Sequence, residues 1–211
     1  QFRQELLSID CNWLNHNVNI FIVVKFKYGD KEVIEYYTKL IKSVPDAKII
    51  LYNFEKLCGY KFSVECVENL AARFPENIIG VKDSSYNLMG NLNIKNFSIL
   101  PGSELKLLSG LKKDCSGIIT ATCNVTAKLA RKVFDDFEQN NEQTVNYKLC
   151  EVRKAFDQFN LISGLHSFLS LTDKQFLNIL PTCSLLNKED EKILFNKLKD
   201  LDFLGKDFKA A

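Results

Sequence analysis

Short runs of β-branched and aliphatic residues recur through the first 122 positions, separated by stretches whose apolar residues fall at helical intervals. IFIVVKF (20–26), KIILYNF (48–54), NIIGVKD (77–83), SILPGS (98–103) and GIITAT (117–122) predict five strands. They are apolar on both sides, as parallel strands covered by helices are. Between the first two, Asp30 is placed to cap KEVIEYYTKLIKS, whose Val33, Ile34, Tyr37, Leu40 and Ile41 share one face. Ser63 is placed to cap a second helix with Val64, Val67, Leu70 and Ala71 inward and Glu65 and Glu68 near its positive end. Ser103 opens ELKLLSGLKK, and YNLMGNLNIKN (86–96) is short and weakly patterned.

After residue 122 the pattern is helical only: TAKLARKVFDDFEQN, TVNYKLCEVRKAFDQFN, a short piece around SGLHSFLSL, and KEDEKILFNKLKDLDFL. The last is amphipathic, which predicts packing on other protein surface. Strand starts at 20, 48, 77, 98 and 117 are one βα unit apart, so the class is α/β with a parallel sheet. A doubly wound nucleotide fold calls for a glycine-rich phosphate turn after its first strand, and neither GxGxxG nor GxxxxGK[ST] occurs. The other closure of parallel βα units is a (β/α)8 TIM barrel, with the helical tail following it on that reading. Three further units would add roughly 90 residues at about 30 each, so the first strands are expected to be absent from this chain. The expected division is 1–140 for the later βα units and 141–211 for the helical region.

With 211 residues, 46% of them hydrophobic, the chain can bury a substantial core. The formal charge of +2 is spread along the sequence without a basic stripe, which argues against nucleic acid as a partner. IFIVV is the longest apolar run and is too short for a bilayer, and QFRQELLSID lacks the order of a secretory signal. Seven cysteines at 11, 58, 66, 115, 123, 150 and 183 include no CxxC pair. They point to buried thiols in a reducing cytoplasm, neither a disulfide framework nor a zinc site. His16 and His166 are the only histidines, and His166 reads as structural. NVT at 124–126 matches a glycosylation pattern that a barrel turn of a cytoplasmic protein would not use.

Barrel chemistry sits at the C-terminal ends of strands. Those ends present Lys25 and Tyr28, Tyr52 with Asn53, Lys82 with Asp83, Ser84 and Ser85, Gly102 with Ser103 and Glu104, and Thr120 to Asn124. Lys82 and Tyr52 end adjacent strands. Lysine attacks a carbonyl only as the free amine, and its reference pKa near 10.4 leaves about one part in two thousand neutral at pH 7. An apolar setting such as IIGV disfavours the cation, and a tyrosine hydroxyl can carry the proton. On pattern alone, a lysine just past an apolar run also reads as a surface group extending into water, and Tyr52 as a rim aromatic.

LYNFEKLCGYKF, NIIGVKDSS, LPGSE and GIITATCNV, in that order and spacing, resemble the class I pyruvate-dependent aldolase superfamily, the dihydrodipicolinate synthase and N-acetylneuraminate lyase family. The resemblance runs from about residue 8 to the C-terminus and implies a (β/α)8 barrel with extra C-terminal helices. It implies that Lys82 forms a Schiff base with pyruvate and that Tyr52 relays protons near the imine. It further implies that Ile119 flanks pyruvate through its backbone and that Gly102 marks the second-substrate pocket, with Glu104 and Thr120 as further substrate-binding residues. The partners implied are pyruvate and an aldehyde, without metal or organic cofactor, nucleic acid or membrane. Homo-oligomers, tetramers among them, are implied as well.

Several positions depart from the family pattern. Its Gly-Thr-Thr pair belongs to an earlier strand. Glu55 stands where proline usually follows Tyr-Asn-x. KFKYG replaces a Pro-Tyr-Tyr run, leaving Phe26 or Tyr28 for that tyrosine, and Leu57 takes the place of the arginine typical of dihydrodipicolinate synthases. LPGSELK offers only Glu104 of the acidic pair that sialic acid lyases use. The expected activity is reversible aldol cleavage of a 2-keto-3-deoxy acid. The alternatives are a dihydrodipicolinate synthase that condenses pyruvate with aspartate semialdehyde, or a catalytically inactive barrel.

Overall fold

The computed structural model describes the backbone of residues 18–21 and residues 28–204 in full. Four parallel strands form one sheet in chain order: β1 (Val18–Phe21), β2 (Lys48–Asn53), β3 (Ile78–Asp83) and β4 (Ser98–Pro101). Helices α1 (Asp30–Ser43), the single turn α2 (Glu55–Cys58) and α3 (Val64–Arg73) lie between these strands in sequence. A 3₁₀ turn at Glu104–Lys106 runs into α4 (Leu107–Leu111). Then follow α5 (Cys123–Glu138), α6 (Asn146–Phe156), α7 (Leu161–Leu169), a 3₁₀ turn at Lys174–Leu177, and α8 (Lys188–Asp200). Parallel strands alternating with helices, then helices alone, are the α/β order of the TIM barrel class predicted above.

The described residues fall into two compact units that divide between Ile119 and Thr120. In the first, Ile49, Leu51, Val81 and Ile99 form the outer face of the sheet, in one core with Val33, Tyr37 and Ile41 of α1 and with Val67 and Leu70 of α3. Each such side chain removed from water contributes about 1.5–3 kcal/mol. Ser63 caps α3 as expected, its Oγ accepting from the Cys66 N–H at 2.9 Å. In the second unit, Val152, Ala155 and Phe156 of α6 pack with Leu165 of α7 and with Leu194, Phe195 and Leu198 of α8.

Three expectations change. Gly29, not Asp30, caps α1, and its N–H donates to the Glu32 carboxylate at 2.9 Å. The Asp30 carboxylate instead accepts from the Tyr60 and Ser63 hydroxyls. Residues 117–122 are not a fifth strand. The Ser116 N–H reaches Ile99 O at 3.0 Å and the Ile119 N–H reaches Pro101 O at 3.1 Å. Between them Gly117 takes φ +141°, and this break keeps the segment out of the ladder. The first strand occupies 18–21, and 22–26 of the expected 20–26, Lys25 and Phe26 among them, lie outside the described residues, as do Cys11 and His16.

The β2–β3 ladder carries a bulge. Ile49 pairs with Ile78 but Ile50 pairs with Gly80, which leaves Ile79 unmatched. A regular ladder would set Tyr52 opposite Val81; the bulge sets it opposite Lys82. Glycine at 80 lets β4 approach, because a Cβ there would lie 2.6 Å from Ser98 O.

Candidate active site

Successive strand residues face opposite sides of a sheet. Asn53 and Asp83 fall on the helix-facing side with Leu51 and Val81 and are fully buried, whereas Tyr52 and Lys82 face the other side and are partly buried. The Lys82 Nζ lies 4.0 Å from the centroid of the Tyr52 ring, a cation–π contact. Ser84 neighbours the Tyr52 side chain. Burial holds the Tyr52 hydroxyl above its usual pKa of about 10, with the neighbouring Ser84 opposing the shift. Tyr52 therefore keeps its proton at neutral pH. Cys58 lies under the pair, its Sγ 4.0 Å from Tyr52 O, and burial raises its thiol above the usual value.

Gly102 follows β4 because nothing larger fits beside Ser84: a Cβ at 102 would fall 2.1 Å from the Ser84 Oγ. Its N–H donates to Asp83 O at 3.2 Å. Glu104 is fully buried at the start of the 3₁₀ turn, whose Ser103 side chain accepts from the Leu105 N–H. Ile119 is half-buried and tied to Pro101 O. The structure thus brings Lys82, Tyr52, Ser84 and Gly102 together.

Thr120 belongs to the helical unit. Its buried Oγ1 accepts from Arg153 Nη1 at 2.7 Å, and the same nitrogen reaches Thr122 Oγ1 at 3.1 Å. Arg153 had no signal in the sequence, since 33 residues separate it from Thr120. His166 is half-buried with Nδ1 2.9 Å from Phe176 O, a structural setting.

Residues 84–89 wrap the end of β3 in a fixed loop. The Ser84 and Ser85 N–H groups donate to Asn53 O at 2.9 and 3.1 Å. Tyr86 takes φ +57°, and Lys106 Nζ lies 5.4 Å from its ring centroid. The Glu55 N–H donates to Ser85 Oγ at 3.1 Å, a bond that a proline at this position could not make. Ser84 stood among the strand-end residues of the sequence, but no pattern there linked it to Tyr52.

The sheet is parallel α/β, with a lysine and a tyrosine paired at its strand ends. Residues 23–197 match the dihydrodipicolinate synthetase family, and the chain belongs to that family. It is 27% identical over 146 residues to an uncharacterized DapA-like lyase of Chloroflexus aurantiacus, covering 66% of this chain and 49% of that protein. It is 26% identical over 129 residues to a 4-hydroxy-tetrahydrodipicolinate synthase of Acaryochloris marina, covering 57% and 43%. The chain thus spans about half the length of these curated relatives. The crystal structure of YagE, a prophage protein of the dihydrodipicolinic acid synthase family from E. coli K12 in complex with pyruvate, superposes with a TM-score of 0.80. It shares 20% identity, over 89% of this chain and 67% of that one.

Proposed function

We propose that this chain carries the Schiff-base centre of a pyruvate-dependent class I aldolase that cleaves a 2-keto-3-deoxy acid reversibly to pyruvate and an aldehyde. The observation that carries this reading is the pairing of Tyr52 with Lys82 across β2 and β3, with Nζ 4.0 Å from the ring centroid. The neutral Lys82 amine attacks C2 of the keto acid, and water leaves to form a protonated imine. The C4 hydroxyl then loses its proton as the C3–C4 bond breaks. The aldehyde departs, and the bonding pair remains as an enamine. A proton returns to C3, and water at C2 releases pyruvate and the free amine. Tyr52, whose hydroxyl burial holds above its usual pKa, relays these protons. Ile119, Gly102 and Glu104 are substrate-binding residues on the strength of the family resemblance.

A second reading uses the same imine to condense pyruvate with aspartate semialdehyde, and the synthases among the relatives favour it. Against it, the exposed Leu57 stands where those synthases typically place an arginine. A cytoplasmic homo-oligomer belongs to the same proposal, and light scattering of the purified protein tests the oligomer.

The test is intact mass after incubation with pyruvate and sodium borohydride, followed by peptide mapping. A reduced pyruvate adduct on the Lys82 peptide is the expected result, and an aldehyde screen then separates the two substrates. A folded protein that gives no adduct overturns the proposal and favours an inactive member of the family.

A further inference from the structure

The two strand ends carry different equipment on their two faces. Tyr52 and Lys82 face one way; the next residues, Asn53 and Asp83, face the other, pair in register, and have no exposed surface. Burying a carboxylate is costly unless its oxygens are satisfied, and here four donors converge on it. Asp83 Oδ1 accepts from Asn53 Nδ2 and from the Tyr86 N–H, both at 2.8 Å. Its Oδ2 accepts from the Leu88 and Met89 N–H groups, both at 2.9 Å. An amide at 83 would turn an NH2 group toward one of these donors.

Asn53 is used as fully. Its Nδ2 donates to Asp83 and to Asn87 Oδ1, and its Oδ1 accepts from the Phe62 N–H at 3.1 Å. Asn87 Nδ2 closes the circuit on Phe62 O at 2.9 Å. The network therefore locks the end of β2, the end of β3, and the loops 54–62 and 84–89 to one another. Those loops carry Cys58 and Ser84, the neighbours of Tyr52.

We infer that Asn53, Asp83 and Asn87 form a positioning clamp that holds Tyr52 against Lys82 from the reverse face of the sheet. Its catalytic meaning rests on the imine reading above. Without the clamp the strand ends can shear or splay, and a shift of about 1 Å at such a site can cost on the order of a hundredfold in rate.

The test compares Asp83→Asn and Asn87→Ala with Val67→Ala, a core truncation in α3 chosen as a stability control. In each full-length protein the pH dependence of Lys82 acylation by trace acetic anhydride is read by mass spectrometry, which needs no pyruvate. The rate of pyruvate trapping by borohydride is measured in parallel. The expected result is that both clamp variants move the Lys82 labelling midpoint by about half a pH unit or more and slow trapping roughly tenfold or more. Val67→Ala moves neither, even with a similar loss of melting temperature. Clamp variants that behave like Val67→Ala in the labelling profile overturn the inference. Should Asp83→Asn not fold, Asn87→Ala, which removes only the outer link, decides the matter. If wild-type Lys82 labels normally but traps no pyruvate, the imine reading fails while the labelling comparison still decides the clamp.

Discussion

In the strand unit the buried polar side chains Asn53, Asp83, Ser103 and Glu104 all stand at or just beyond the C-terminal ends of strands. Asn77 is the exception, and it ties the loop before β2 by donating to Pro45 O and Ala47 O. In the helical unit the buried polar groups Thr126, Asp136, Ser163 and Ser167 are spread along α5 and α7, while Thr120 and Thr122 share the Arg153 guanidinium. Thr126 Oγ1 donates to Thr122 O one turn back, Ser163 receives the Asn160 cap, and Ser167 Oγ accepts the Leu186 N–H. Asp136 pairs one oxygen with Lys132 at 2.5 Å, and its other oxygen has no hydrogen-bond partner. Apart from that threonine pair, the helical unit ties its buried polar groups one at a time. The strand unit gathers most of its desolvated polarity at one edge, where Asn53, Asp83 and Asn87 form a network, an arrangement that fixes geometry more tightly than separate bonds do. That edge also holds Lys82 and Tyr52.

If the chemistry resides in the strand unit, the sharpest break is Lys82→Met, which should abolish the pyruvate adduct and all lyase turnover while circular dichroism stays native. Tyr52→Phe should leave adduct formation detectable and lower turnover by roughly 10²- to 10⁴-fold, the span of a lost acid–base group; steady-state kinetics with trapping measure both. Leu194→Ala, at a fully buried position in α8, should cost about 2–5 kcal/mol of stability in urea melts. Adduct formation at Lys82 should persist in it at low temperature.

Two glycines sharpen the contrast further. Gly102→Ala should displace Ser84, destabilise by about 1–3 kcal/mol, and slow turnover, because the new methyl has no room. Gly164→Ala in α7 would meet Phe156 Cδ1 at 3.3 Å. There the helix gains about 0.8–1 kcal/mol from alanine, so the net change in melting temperature should be small.

A pH dependence in the strand unit sharpens the comparison once more. Burial pushes the Cys66 and Cys115 thiols up to about 11 from the usual 9. The native chain keeps these protons where the unfolded chain has lost them, so stability present below pH 9 should fall as pH rises through 9 to 11. Urea midpoints across that range should drop, and Cys66→Ala with Cys115→Ala should flatten the decline.

Much of this arrangement was legible before any coordinates. β2, β3 and β4 announce themselves by β-branched runs, and α3 by Ser63 and its apolar stripe. The strand ends Tyr52-Asn53 and Lys82-Asp83 stand out because polar residues close apolar runs. The missing fifth strand escaped because GIITAT has ideal strand composition, and composition does not report that Gly117 turns to φ +141°. Asp30 was misread as a cap because Tyr60 and Ser63, the hydroxyls it binds instead, are 30 and 33 residues away.

The sequence by itself determined the order of βα units and helices, the family, and the lysine and tyrosine on which the proposed chemistry rests, because periodicity and residue type are local properties. Only the tertiary structure decided that a bulge at Ile79 sets Tyr52 opposite Lys82, that Gly102 makes room for Ser84, and that Arg153 holds Thr120. It also decided that Asn53, Asp83 and Asn87 close into one network. Each of these depends on register and on groups some 18 to 34 residues apart in the chain, where hydrogen bonds and close packing act through space and leave no mark in the spacing of residues.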